Sequence, residues 1–145
     1  SAALELALRN AQRHEVADRL ALLEGDGLAP LADHAPQSFH LICSNPPYIP
    51  DHEWDGGLVE RSVREHVPET ALRGGPDGLD VIRPLIAGAG GRLQPGGRLI
   101  IEIADSHADQ AAALAEQASE LTNIRIERDE DDLRRYIIAD RAAEA

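Results

Sequence analysis

Residues 44–50 read Ser-Asn-Pro-Pro-Tyr-Ile-Pro and follow directly on the apolar run Phe39 to Cys43. The side chain of Asn45 offers one carbonyl acceptor and an NH2 donor. Pro46 and Pro47 have fixed φ and no N–H, so the backbone here cannot easily fold back into a local ladder. The Asn45 side-chain oxygen and the Pro46 carbonyl are therefore expected to point outward as a pair of acceptors. Two acceptors suit an NH2 group with its two hydrogens, and Tyr48 can lie flat against a planar amide or base. The lone pair of such a nitrogen is delocalised. Accepting both hydrogens favours pyramidalisation and turns the lone pair toward an electrophile. With a sulfonium methyl as that electrophile the reaction is an in-line displacement, driven by orientation and electrostatics rather than by a strong base. Asn and Pro also end strands in ordinary turns, so the flanking sequence has to decide.

The elements that must hold this corner follow from periodicity. Residues 1–14 predict a helix, with Leu4, Ala7, Leu8 and Ala11 on one face and Ser1 able to cap it. Leu20–Leu23 predicts a short strand closed by the Gly25–Gly27 turn. Phe39–Cys43 predicts a strand whose continuous apolar run fits a sheet covered on both faces, with Cys43 buried. Residues 49–75 predict a long loop with one helical turn, a length usually reserved for function or disorder. A helix is expected over about 78–89, loosened at Pro84, then a strand over Arg98–Ile103. A further helix follows, capped by Asp105 or Ser106. Two last strands, joined by the acidic turn Asp129–Asp132, predict an antiparallel edge hairpin. This order gives an α/β fold with a mostly parallel sheet, in which ligands sit beyond the carboxyl ends of strands. Glu24-Gly-Asp-Gly27 and Ser44-Asn-Pro-Pro-Tyr48 occupy such ends.

The 145 residues fit one domain, and 43% apolar with 28% charged residues gives a packed core and an ordinary polar surface. A net charge of −12 argues against a nucleic-acid backbone as the main partner. No apolar run approaches the ~20 residues of a membrane span, and the opening residues do not read as a leader. A single cysteine fits a reducing compartment, so a cytoplasmic location is expected. The six histidines show no ligand spacing, and no metal is expected. Glu102, between Ile101 and Ile103, reads as a solvated or hydrogen-bonded strand residue, and Glu127–Asp132 as a solvated turn.

Asn-Pro-Pro-Tyr behind an apolar strand resembles the signature of S-adenosylmethionine-dependent methyltransferases that act on planar NH2 groups. The flanks narrow the resemblance. "LRNAQRH", "EGDG", "HLICSNPPYIP", "VPETALRGGPDGLDVIRPLI" and "LQPGGRLIIEIA" occur in the order of the protein-(glutamine-N5) methyltransferases that modify release factors. The tyrosine motif alone is shared with N6-adenine methyltransferases; "ALRGGPDGL" is the more specific part. The resemblance implies a Rossmann-like class I methyltransferase fold and S-adenosyl-L-methionine as methyl donor. It implies a protein substrate, a peptide chain release factor by default, and a place in translation termination. It makes Asn45, Pro46, Pro47 and Tyr48 the catalytic grip on the substrate amide, with Asn45 also near the donor. Asp26 and Gly27 match positions near the donor's adenine, although relatives often carry a bulky residue at the latter. Val67 and His40 depart from a usual Glu and Asp.

The family's glycine-rich donor loop is expected ahead of Ser1. Residues 1–145 are thus expected to form a partial catalytic domain that lacks the first two strands of a sheet ordered 3-2-1-4-5-7-6. That would leave Phe39–Cys43 as an edge, and the chain alone is expected to bind the donor poorly. Two other readings stay open: an N6-adenine nucleic-acid methyltransferase and a non-catalytic interaction module.

Overall fold

The computed structural model describes residues 1–143, which divide into two compact units, Ser1–Asp33 and His34 onward. In the first unit, α1 (Ala2–Arg13) forms where the apolar spacing predicts it. Ser1 stands at its N-cap without a side-chain bond, and of the apolar face only Ala11 is buried. The strand expected at Leu20–Leu23 does not form. Leu20 has extended dihedrals (φ −120°, ψ 122°), but none of the described strands pairs with it, and a strand exists only through its ladder. Leu20 and Leu23 are accordingly exposed.

The second unit is built on a four-stranded sheet of order β1-β2-β4-β3: Phe39–Ser44 (β1), Leu93–Glu102 (β2), Leu121–Arg128 (β3) and Arg134–Arg141 (β4). This matches positions 4-5-7-6 of the expected order, with β1 at one edge. Only β1 and β2 run parallel; β4 is antiparallel to both β2 and β3, so this part of the sheet is mixed. The last two strands form the expected hairpin.

The core lies on one face of the sheet. Leu99, Ile101 and Ile103 of β2 and its extension, with Ile137 and Ala139 of β4, alternate inward at the two-residue period. They share the core with Ile82, Leu85, Ile86 and Ala89 of α4 (Ile82–Ala89) and with Ala108, Ala111 and Ala115 of α5 (Ala108–Gln117). Each fully buried Ile or Leu contributes about 1.5–3 kcal/mol of transfer free energy. α4 begins at Ile82, later than the expected 78, and continues without a break through Pro84. Pro84 sits in the first helical turn, where a missing N–H disrupts no intrahelical bond.

The other face is open at β1. Register places Leu41 and Cys43 beside Arg98 and Ile100, the residues of β2 that alternate away from the core. Leu41 is 51% exposed and Cys43 is exposed, against the expectation of a strand covered on both sides with a buried cysteine.

Residues 49–75 hold more structure than one turn: α2 (Asp51–Asp55), α3 (Arg61–His66) and a 3-10 turn at Glu69–Ala71. Trp54 is buried there, with the Arg64 guanidinium 5.1 Å from its ring centre.

Neither Asp105 nor Ser106 caps α5. Asp105 instead accepts from the backbone and Nε of Arg134, at 3.1 and 2.9 Å. Asp129 organises the hairpin turn, accepting from the backbone of Asp131 and Leu133 and from Arg135 Nε, each at 3.0 Å. The Arg134 side-chain bond, then its backbone bond, holds the Asp105 carboxyl below the usual range. The Arg135 bond does the same for Asp129. A carboxyl whose pKa is depressed on folding stabilises the fold above its unfolded pKa, about 3.9. That stability is lost as pH falls through the lower folded value. Acid unfolding followed by circular dichroism should therefore steepen below about pH 4. In Arg134→Gln, which frees Asp105, stability should be lower at neutral pH and the acid slope shallower.

Candidate active site

The Asn-Pro-Pro-Tyr corner leaves the carboxyl end of β1, where an α/β sheet presents its ligands. Pro46 is buried, Pro47 and Tyr48 are half-buried, and Asn45 is exposed. Among the described residues, no donor or acceptor pairs with the Asn45 side-chain amide or with the Pro46 carbonyl. The residues after Tyr48 are tied down. Ile49 N–H donates to the Leu72 carbonyl and Gly74 N–H to the Ile49 carbonyl, both at 2.9 Å, and Asp51 N–H reaches the Gly75 carbonyl at 2.9 Å. Ile49 and Arg73 thus form a parallel bridge between the tyrosine motif and the Arg73-Gly-Gly segment. Arg73 strengthens this wall through Asp51 (3.0 Å), Glu69 and, at 3.8 Å, Asp55.

Asn45 borders two hollows. One, of about 160 Å³, is lined by Asn45, Pro46, Tyr48, Ile49, Ala71 and Leu72. The other, of about 280 Å³, is lined by Cys43, Ser44, Asn45, Ile100, Glu102 and Tyr136 on the open sheet face. Both are smaller than the roughly 300–1,000 Å³ of small-molecule pockets.

Tyr48 is fixed at both ends. Its hydroxyl donates to Glu102 Oε1 at 2.8 Å, and its carbonyl lies 3.0 Å from His107 Nε2. Burial, then the bond to Glu102 and the charge of that carboxylate, pushes the phenol above its ordinary value, so the hydroxyl stays protonated and donating. Gly78 lies against this corner with φ +79°; a Cβ there would stand 2.5 Å from the Tyr48 carbonyl oxygen.

The structure brings Asn45, Pro46 and Tyr48 together around the small hollow, while Pro47 stays outside its lining. Asp26 and Gly27 lie in the first unit, in a turn where Ala29 N–H reaches the Asp26 carbonyl at 3.0 Å and Gly27 has φ +50°. Glu102 is hydrogen-bonded, one of the two states expected for it, and the partner it anchors is Tyr48. A charge at the end of an apolar strand beside the motif-bearing strand was the available signal for it. Nothing in the sequence marks His107 or Gly78 as neighbours of Tyr48. Among the described residues no group of three metal-ligating side chains occurs, and no helix is long and apolar enough to cross a membrane.

No family model matches the chain. Individual proteins do. A release factor glutamine methyltransferase of Rhodopirellula baltica is 39% identical over 130 residues, covering 88% of this chain and 42% of that protein. The release factor glutamine methyltransferase of Geobacter sulfurreducens is 44% identical over 107 residues, 74% of this chain and 35% of that protein. The chain spans less than half the length of the curated relatives it matches, and it matches their C-terminal part. Among solved structures, the Mtq2–Trm112 complex of E. cuniculi, described as responsible for methylation of the termination factor eRF1, aligns with TM-score 0.57 at 20% identity. That alignment covers 92% of this chain and 68% of the other. A protein of Bordetella parapertussis described as possibly exported aligns at TM-score 0.61 and 19% identity, covering 97% of this chain and 50% of the other. At these identities the structural likeness speaks for the class I methyltransferase fold.

Proposed function

The chain belongs to the release factor glutamine methyltransferase family, matching its C-terminal part, and from that premise we propose that residues 45–48 form the amide grip of an enzyme that methylates a protein glutamine at N5. The observation that carries this reading is the unpaired state of the Asn45 amide and the Pro46 carbonyl, among the described residues, beside a hollow of about 160 Å³. Elsewhere in this segment backbone groups find partners, as the bonds of Ile49, Asp51 and Gly74 show. Two acceptors left open together fit the two hydrogens of a carboxamide. The net charge of −12 disfavours a nucleic acid as substrate.

S-adenosyl-L-methionine, when bound, supplies a methyl group on a positively charged sulfur. The residues of this chain orient the acceptor. Asn45 Oδ1 and the Pro46 carbonyl hold the two amide hydrogens, which turns the nitrogen lone pair out of conjugation. Tyr48, clamped through Glu102, walls the carboxamide plane. With the donor bound, the methyl it supplies would go to the nitrogen so held, and one of the two gripped amide hydrogens would pass to water as a proton. By the family resemblance Asn45 also comes near the donor, and Asp26 and Gly27 near the donor's adenine. Residues 1–145 are read as part of a catalytic domain, with a release factor as the protein partner.

The test places this chain in a protein of its relatives' full length and incubates it with S-adenosylmethionine and a release factor. Mass spectrometry of the digested substrate should find one added methyl on a glutamine side chain. A methyl on adenine of added nucleic acid, or no methyl on any substrate, would contradict the reading.

A further inference from the structure

We infer that His107 is a positioning residue for the amide-gripping corner: its Nε2–H donates to the Tyr48 carbonyl and fixes the peptide plane that follows the tyrosine. The inference rests on the function proposed above. His107 is 3% exposed and closes the 3-10 turn Asp105–His107, immediately before α5. Its Nε2 lies 3.0 Å from the Tyr48 oxygen. A carbonyl only accepts, so the ring hydrogen belongs on Nε2. Nδ1 is buried and has no partner among the described residues. A partnerless buried nitrogen is a cost that packing alone does not require, since an apolar side chain would fill the same space. Among the described residues, the one polar contact of this ring is therefore the bond to the Tyr48 carbonyl.

The same stretch of chain fastens Tyr48 twice. Glu102 at the end of β2 takes the hydroxyl, and His107, five residues on, takes the carbonyl. The turn between them is itself held to β4 by Asp105 and Arg134. Gly78 packs against both partners, for a Cβ there would stand 2.5 Å from the Tyr48 oxygen and 2.9 Å from His107 Nε2. The bond also occupies one lone pair of the Tyr48 carbonyl.

The experiment compares His107→Leu and His107→Gln in a protein of the relatives' full length, measuring kcat, KM and melting temperature. Leucine keeps the apolar volume and removes the donor. It should lower kcat by about 10- to 100-fold, the penalty of a misplaced reacting group, with KM and melting temperature close to wild type. Glutamine can donate from a similar reach and should restore kcat to within several-fold. An unchanged kcat in His107→Leu, or a loss that merely follows a lower melting temperature and that glutamine does not repair, would overturn the inference. If the wild-type protein methylates no glutamine, the functional reading fails instead. Nitrogen-15 NMR of the His107 ring then decides: hydrogen on Nε2 coupled to the Tyr48 carbonyl supports the clamp, and hydrogen on Nδ1 overturns it.

Discussion

Asn45→Ala should lower kcat for glutamine methylation by roughly 10²–10³-fold, the usual loss when one preorganised hydrogen-bonding group is removed from a reacting centre, while leaving stability almost untouched. The separation of the two effects follows from the structure. The Asn45 side chain is exposed and makes no intramolecular hydrogen bond among the described residues. Surface substitutions of that kind usually stay within about 0.5 kcal/mol. In the proposed function its role lies entirely in what it offers a ligand. Asn45→Asp sharpens the prediction, because aspartate keeps an acceptor at this place and exchanges the NH2 donor for a second, charged acceptor oxygen. It should retain more activity than alanine. Kinetics on a glutamine peptide, together with thermal melts of all three proteins, provide the comparison. An aspartate variant as inactive as the alanine variant would move the role of Asn45 from accepting to donating.

Gly78→Ala should have the second large effect, and on both stability and rate. Its φ of +79° is unfavourable for any residue with a Cβ, and the added carbon would meet the Tyr48 oxygen at 2.5 Å and His107 Cδ2 at 2.8 Å. Backbone strain of this type costs about 1–3 kcal/mol, and relief of the contact must push the Tyr48 carbonyl away from His107. Gly57 provides the control. It has φ +74° but nothing within 4 Å of its would-be Cβ. Gly57→Ala therefore carries only the conformational penalty and should leave kcat unchanged. Denaturant melts of both variants should show Gly78→Ala as the less stable, with a kcat at least tenfold below wild type, the scale of a displaced reacting group. Equal stability in the two would mean that the corner yields easily and that its rigidity has been overstated.

The parts of the fold legible in the sequence are those whose period is set by a buried face. Leu99, Ile101 and Ile103 alternate as a strand must, and Ala108, Ala111 and Ala115 recur as one side of a helix. The acidic hairpin was legible from turn chemistry. Leu20–Leu23 was not, because an apolar run shows a preference for extension and cannot show whether a partner strand is present. Leu41 and Cys43 were misread for the same reason: a continuous apolar strand carries no record of which face is covered. β2 begins at Leu93 rather than at the expected Arg98, because the turn-forming residues Pro95-Gly-Gly97 are carried inside the strand, with the irregularity taken up where Phe39 pairs with Leu93 and Leu41 with Arg98.

At the site, the motif itself was legible because two prolines beside an asparagine restrict the backbone so strongly. Its supports were not. Glu102, His107 and Gly78 lie 54, 59 and 30 positions from Tyr48 along the chain. Only the crossover between β1 and β2 and the turn into α5 bring them to it.

The proposed grip is tested most directly by a crystal structure of the relatives'-length protein with a glutamine peptide in place. The substrate amide nitrogen should lie about 2.7–3.2 Å from both Asn45 Oδ1 and the Pro46 carbonyl oxygen, with the Tyr48 ring against the carboxamide plane. A glutamine nitrogen bonded to other groups, with either of those two oxygens left facing solvent, would contradict the account.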